Sequence, residues 1–294
     1  MARQNQTVGM IGIGQLGLPV AVNLMQAGFP VVGFRRHDRE EFVRQGGKAL
    51  ESPAEVARAA SVILLCLPGE DAELEVLEGR DGILQVLTDD HTVIEMGTYR
   101  KAFKLEQAAK IAAKGARALE AEISGSPPMV VSRKAAIYAG GDPKVFQSCL
   151  PLLEAITPAV FQLGEYGSAV AMKLIANYLL SIHTLAAAEA MNLGARAGFD
   201  PQLVAEVIQK GAGGSAMFGV RAPLMAARKF LPAPGPFNTL EKYLKLGRAM
   251  ADELGCATPL FSVSTPYFER ALAGGMGSED IAAVIKLIEA DSRS

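Results

Sequence analysis

The sequence predicts an α/β Rossmann-type dinucleotide-binding domain followed by a long interdomain helix and an all-α C-terminal domain. Three observations carry this. Short, continuously apolar runs alternate with helical segments through the first half of the chain. A GxGxxG lies between the first such run and the first helix. From Tyr166 to Ala197 the chain has no proline and is dominated by alanine, leucine and methionine, long enough for one helix of about 30 residues.

Taken in order, Val8–Ile13 is the first strand, Gly14–Ala27 the helix that Gly28 stops, and Pro30–Phe34 the second strand. Ser61–Leu67, Thr92–Met96, Leu119–Ser124 and Ala135–Ala139 repeat the strand pattern. Helices fit at Pro53–Ala60, Lys101–Lys114 and Pro143–Ile156, the last announced by Asp142 as N-cap and Pro143 at the first helical position. Short apolar strands separated by helices imply a mainly parallel sheet covered on both faces. The long helix is apolar around most of its circumference, so neighbours must cover it on several sides. From Pro201 onward the chain reads as helical, with breaks at Gly211–Gly214, Pro232–Pro236 and Gly274–Gly277. The expected division is residues 1–163 as a dinucleotide-binding domain and 164–294 as a helical domain beginning with the long helix. The crevice between two such domains is the default ligand site.

Composition narrows the function. Of 294 residues, 50% are hydrophobic and 20% charged, which is a folding chain rather than a disordered one. Lys plus Arg number 29 against 31 Asp plus Glu, so there is no basic surplus to neutralise a nucleic acid. Cys66, Cys149 and Cys256 lie far apart, with no CxxC and no His/Cys cluster; three buried thiols in a reducing cytoplasm and no metal are expected. The opening MARQNQTVGMIGIG turns glycine-rich before a signal-peptide core forms, and no run of about 18 uninterrupted apolar residues exists. The expectation is a cytoplasmic chain that neither enters a membrane nor binds nucleic acid.

Gly12, Gly14 and Gly17, with Gln15 and Leu16 between them, form the glycine-rich turn. In this context the first glycine permits the turn, the second lets backbone approach a pyrophosphate, and the third lets the helix pack against the sheet. The second strand ends in Arg35 and Arg36, where an NAD site usually carries Asp or Glu for the ribose hydroxyl. Guanidinium groups there argue for a 2′-phosphate, hence NADP(H). The alternative is a solvated basic turn balanced by Asp38, Glu40 and Glu41. Leu67 and Pro68 follow a third strand and Thr98 a fourth, so these loops should flank the cofactor. Thr98 can bond the nicotinamide ribose or stabilise its own turn.

A dehydrogenase also needs a proton-transfer group. His37, His91 and His183 suit the role poorly, being in an adenosine-side turn, a loop and an apolar helix. Lys173 stands nearly alone in an apolar stretch of the long helix, with Asn177 one turn on and the same face. A cation there is costly unless it is paired or faces a cleft. It can serve as a proton carrier, or be an ordinary lysine snorkelling to the surface.

These residues resemble the β-hydroxyacid dehydrogenases, the family of 3-hydroxyisobutyrate dehydrogenase, tartronate semialdehyde reductase and glyoxylate/succinic semialdehyde reductase. The resemblance runs almost the whole chain, through VGMIGIGQLGLPVAVNLMQAG, LLCLP, VIEMGT, the Ser124–Gly125 of EISGS, GEYGSAVAMKLIAN, EKYLKLGRAMADELGCATPL and GGMGSED. It implies that Lys173 is the general acid/base and Asn177 its partner. Ser124 and Gly125 would contact a substrate carboxylate, with Ser126 in the same loop, and Lys242 would lie near cofactor and substrate. Thr98 would stand beside the nicotinamide, and Leu67 and Pro68 over the cofactor. A small anionic carbonyl or hydroxy-acid substrate and a homo-oligomer formed through the helical domain are implied too. The chain departs from the family at Ser126, Pro127, Pro128, Tyr178, Gly97 and Tyr243, mostly where substrate contacts are expected. Those departures leave an imine reductase of the same architecture, or a non-catalytic NADP-binding sensor or interaction protein, as alternatives.

Overall fold

The computed structural model of the chain describes residues 6–292. The first five residues, part of the N-terminal stretch in which no signal peptide was expected, lie outside that description. The chain divides into two compact units, Met1–Lys173 and Leu174–Ser294.

The first unit is an eight-stranded sheet of order β3-β2-β1-β4-β5-β6-β7-β8. Its strands are β1 Val8–Ile11, β2 Val31–Phe34, β3 Lys48–Ala49, β4 Val62–Leu65, β5 Thr92–Glu95, β6 Arg117–Ser124, β7 Ala136–Gly140 and β8 Ala159–Gly164. Every pairing is parallel except β6 with β7. Parallel strands need crossovers, and the helices α1 Gly17–Gln26, α2 Glu40–Arg44, α3 Pro53–Ala59, α4 Glu70–Glu78, α5 Lys101–Ala112, α6 Pro127–Val131 and α7 Pro143–Ile156 supply most of them. Two apolar cores result. One joins Val20 and Leu24 of α1 and Leu152 and Leu153 of α7 to Met10, Leu64 and Ile137. The other joins Val56 of α3, Leu77 of α4 and Ile111 of α5 to Ile11, Ile63 and Val93. Each such fully buried aliphatic side chain contributes about 1.5–3 kcal/mol of transfer free energy.

The boundaries have local causes. Helix α7 starts where the sequence placed it, because Asp142 accepts hydrogen bonds from the amides of Lys144 at 2.7 Å and Val145 at 3.1 Å. Ser52 caps α3 through the Glu55 amide at 3.2 Å. Strands β3 and β8 and helices α2, α4 and α6 were not expected. Strand β3 has two residues, and β8, Ala-Val-Phe-Gln-Leu-Gly, has a short apolar run broken by Gln162 and lies as an edge strand exposed along most of its length.

In the second unit, α8 (Ser168–Arg196) opens in the first unit and continues here, followed by α9 Pro201–Lys210, α10 Ala216–Ala227, α11 Phe237–Glu253, α12 Pro259–Ala273 and α13 Ile285–Asp291. Its core gathers Leu185, Ala188 and Met191 of α8 with Phe218, Phe237, Phe261, Phe268 and Ile285. The turn between α11 and α12, at Leu254–Thr258, was not anticipated; Gly255 with φ +61° reverses the chain there. Arg221 and Asp280 pair inside this unit at 2.5 Å, and Asp280 also accepts from the amides of Gly235 at 3.0 Å and Ala282 at 2.9 Å.

One expectation needs correction. The three cysteines are not all buried: Cys149 is, Cys66 is half-buried and Cys256 is exposed, following the end of α11. By length and composition α8 is apolar enough to cross a bilayer, because scattered polar residues do not lower its mean hydropathy enough to fail that test. Its Leu185, Ala187, Ala188 and Met191 are nonetheless core residues of the helical unit.

Candidate active site

The parallel register fixes where the loops meet. Ile11 pairs with Phe34 and with Leu65, and Leu65 pairs with Glu95, so β1, β2, β4 and β5 end at one level. Gly12–Gly17, Arg35 and Arg36, Leu67 and Pro68, and Gly97 and Thr98 therefore leave the sheet along one edge. In an open parallel sheet that carboxyl edge is where ligands bind. Strand β6 runs on to Ser124, four residues past Glu120, which pairs with Glu95. Its antiparallel partner β7 supports this overhang, and the Ser124–Ser126 loop sits at its tip.

The glycine turn has the shape a pyrophosphate requires. Gly12 adopts φ +95°, and a Cβ there would fall 2.2 Å from the Cys66 carbonyl oxygen. A Cβ on Gly17 would fall 2.0 Å from the Gly12 carbonyl oxygen, so α1 can approach only with glycine there. Gly14 is different: nothing lies within 4 Å of the position its Cβ would take. That open position immediately precedes α1, whose start carries the positive end of the helix dipole. These residues fit a dinucleotide phosphate group.

Beyond β2 the arginines are accessible. The Arg36 guanidinium lies 3.5 Å from Glu75, both side chains about two-thirds exposed (66% and 65%). Arg35 makes a similar 3.5 Å pair with Asp38. His91 is held in its turn by Thr88 and by the Ala57 carbonyl, which leaves it no catalytic place.

Lys173 is buried and donates to the backbone carbonyl of Ile123, the residue before Ser124. The helix that carries it is anchored at its start by Glu120, whose carboxylate accepts from the amides of Gly167 at 2.8 Å, Ala169 at 3.0 Å and Val170 at 3.1 Å. This anchoring ties the start of α8 to strand β6 within the first compact unit. The Ser124 loop is tight, because a Cβ on Gly125 would meet that of Ala135 at 2.8 Å. Ser126 precedes α6, with Pro127 in its first turn. The structure thus brings Lys173 to the Ser124–Gly125 loop. Asn177 and Lys242 belong to the helical unit, Asn177 buried on α8 and Lys242 half-buried on α11. Tyr178 packs on Phe261, ring centroids 5.1 Å apart.

Sequence reasoning missed a buried polar network beside these groups. Thr98 donates to Glu122 at 2.6 Å, and Lys104 bonds Glu122 at 2.6 Å and the Gly97 carbonyl at 2.7 Å, with Glu120 3.0 Å away. Burial opposes the charge on Lys104, but the carboxylates of Glu122, Glu120 and Glu95 outweigh it and hold the ammonium above the usual lysine range. Burial likewise pushes Glu122 up, with Lys104 and Thr98 acting against it. Next to this group, Glu95 accepts from the Gly97 amide at 2.5 Å and is pushed well above the usual carboxylate range by burial and by Glu73. Glu73 is raised by burial too, and Tyr99 reaches it at 3.4 Å. The only signal in the sequence was the alternation of Glu120 and Glu122 along β6, which a half-exposed strand would also show.

Comparison with known proteins accords with this geometry. Residues 7–164 match the family model of the NAD binding domain of 6-phosphogluconate dehydrogenase, and residues 167–288 that of the NAD-binding region of NADP-dependent 3-hydroxyisobutyrate dehydrogenase. Glyoxylate/succinic semialdehyde reductase 1 of Arabidopsis thaliana is 28% identical over 96% of this chain and 98% of its own. The crystal structure of 3-hydroxyisobutyrate dehydrogenase from Salmonella typhimurium superposes with a TM-score of 0.86 at 27% identity, covering 96% of this chain and 99% of that one. Psf3 in complex with NADP+ and 2-OPP shares the fold, with a TM-score of 0.87 at 23% identity over 96% and 99% of the two chains. The chain belongs to the β-hydroxyacid dehydrogenase family and is an oxidoreductase that binds a nicotinamide dinucleotide.

Proposed function

We propose that this protein is an NADP(H)-dependent oxidoreductase of small β-hydroxy acids or short semialdehydes, with Lys173 as general acid/base. The carrying observation is the buried Lys173 ammonium, which donates to the Ile123 carbonyl beside Ser124 and Gly125. A lysine so placed gives its proton to a nascent alkoxide in reduction and takes it back in oxidation. The bound nicotinamide supplies or accepts the hydride. Gly12, Gly14, Gln15, Leu16 and Gly17 would hold the pyrophosphate, Arg35 and Arg36 the 2′-phosphate, and Leu67, Pro68 and Thr98 the nicotinamide side. The Ser124 hydroxyl and the loop amides of Gly125 and Ser126 suit a substrate carboxylate, while Asn177 and Lys242 complete the set by family resemblance. NADP over NAD is supported by two accessible guanidinium groups at the end of β2 and by the lack of a carboxylate in their place. In this reading residues 1–163 hold the cofactor, residues 164–294 form the substrate and dimerisation part, and the protein works as a cytoplasmic homo-oligomer.

The test is a panel of short semialdehydes, glyoxylate and β-hydroxy acids, each with NADPH/NADP and NADH/NAD, alongside a cyclic imine. NADPH-linked turnover of an aldehyde is expected, and K173M should keep NADPH binding while losing about a hundredfold or more in kcat. Turnover by K173M at the wild-type rate, or of the imine in preference to every aldehyde, would overturn the proposal. Tight NADPH binding with no turnover at all would favour a sensor.

A further inference from the structure

We propose that Lys104 and Glu122 are positioning residues for the reaction: they fix the Thr98 hydroxyl and, through Glu120, the start of the helix that carries Lys173. The inference rests on the dehydrogenase reading above. It starts from an oddity of the fold, since Lys104, Glu120 and Glu122 are shielded from solvent although a sheet domain of this kind can be covered by apolar residues alone. A buried ion network is weak evidence for stability, so what it holds in place becomes the question.

Each polar atom of the network has a directional task. Lys104 lies in the first turn of α5 and reaches three oxygens: the Gly97 carbonyl, Glu122 Oε1 and Glu120 Oε1, at 2.7, 2.6 and 3.0 Å. Glu122 Oε2 is left to accept the Thr98 hydroxyl at 2.6 Å. That bond settles the direction of the threonine proton, which points into the protein and leaves the oxygen lone pairs as an acceptor at the sheet edge. The second contact, to the Gly97 carbonyl, pins the peptide immediately before Thr98. Glu120 is shared between Lys104 and the amides of Gly167, Ala169 and Val170, one turn before Lys173. One ammonium thus ties the Thr98 turn and the opening of α8 to a common point. A misplacement of about 1 Å in such a site can cost on the order of a hundredfold in rate.

The experiment compares wild type, T98V, K104M/E122L and the triple variant. The double variant exchanges one buried cation and one buried carboxylate for apolar side chains of similar size and leaves Glu120 to the amides of Gly167, Ala169 and Val170. NADPH binding and emission are read from the cofactor's own fluorescence, which no tryptophan obscures because the chain has none. Thermal melting and kcat with the best aldehyde of the panel complete the set. The expected result is a lowered but still cooperative melt, an NADPH emission shifted as in T98V, and kcat lowered about ten- to a hundredfold. The triple variant should be no worse than the double, because all three changes remove one unit. The proposal is overturned if K104M/E122L shows wild-type emission and kcat, or if its loss multiplies with that of T98V.

Should the double variant not fold, E122Q replaces it. There Lys104 claims the amide oxygen, the amide N–H faces Thr98, and the threonine must accept instead of donate. E122Q is then expected to change NADPH emission without adding to T98V, and unchanged emission refutes the proposal. A wild type that turns over no aldehyde would overturn the dehydrogenase reading, while the emission comparison, which needs no turnover, still decides this one.

Discussion

Replacing Arg36 by alanine separates the two cofactors in a way the structure quantifies. The Arg36–Glu75 pair is long, at 3.5 Å, and both side chains are mostly in water (66% and 65%). A pair of that kind is worth at most about 1 kcal/mol. A charge-assisted hydrogen bond from the same guanidinium to a phosphate is worth about 1.5–3 kcal/mol. Exchanging one for the other leaves a net gain on the order of 1–2 kcal/mol, or about five- to thirtyfold in affinity. R36A should therefore weaken NADPH by about that factor and leave NADH within about twofold. Fluorescence titration of both nucleotides at two salt concentrations reads this directly, and the wild-type preference for NADPH should shrink as salt screens the exposed guanidinium. E75Q should act in the opposite sense, tightening NADPH slightly by freeing Arg36. Equal loss for NADPH and NADH, or no loss for either, would refute the reasoning and leave Arg36 as part of a solvated turn.

Three further outcomes follow from buried groups and caps. Glu95 is held protonated by burial, so the folded state binds more protons than the unfolded one above pH 4.5, and stability falls as pH rises through that carboxyl's raised range. E95Q should remove this slope, flattening a pH series of chemical melts by up to about 1.4 kcal/mol per pH unit; an unchanged series would count against a raised Glu95 carboxyl. R221M leaves Asp280 buried with only backbone partners, and should cost about 3–5 kcal/mol in denaturant unfolding. D142A removes two bonds to helix amides and should cost about 1 kcal/mol, with NADPH affinity unaltered; a cost near zero would mean that water replaces the cap.

How far the fold was legible in the sequence depended on whether each signal was local. Helix α7 runs from Pro143 to Ile156 as read, since Asp142 and Pro143 act within their own turn. The Gly12–Gly17 turn was readable for the same reason, its three glycines being bound to a strand and a helix that flank them. Lys173 stood out because a lone cation in an apolar helix is costly wherever it lies. By contrast, β8 is a solvated edge paired with β7, and its Ala159–Phe161 run is too short and too soon broken by Gln162 to announce a strand on its own. The Lys104–Glu122 network was hidden more deeply. Its members are 18 residues apart and each looks like an ordinary surface charge, until the packing of α5 on β6 brings them into one dry space.

The capping of α8 by Glu120 also bears on how such a protein can be cut and recombined. Sequence similarity breaks between residues 164 and 167, an inviting point at which to separate the halves or exchange one with a relative. A fragment ending there would leave the Glu120 carboxylate with Lys104 but without its amide donors, since those of Gly167, Ala169 and Val170 would be lost. The seam that inheritance suggests and the seam that electrostatics permits are about two helical turns apart. Chimeras joined after Lys173 carry the donors along with the acceptor, and a joint at 164 inherits a mismatch unless both parents bring a carboxylate to the same place.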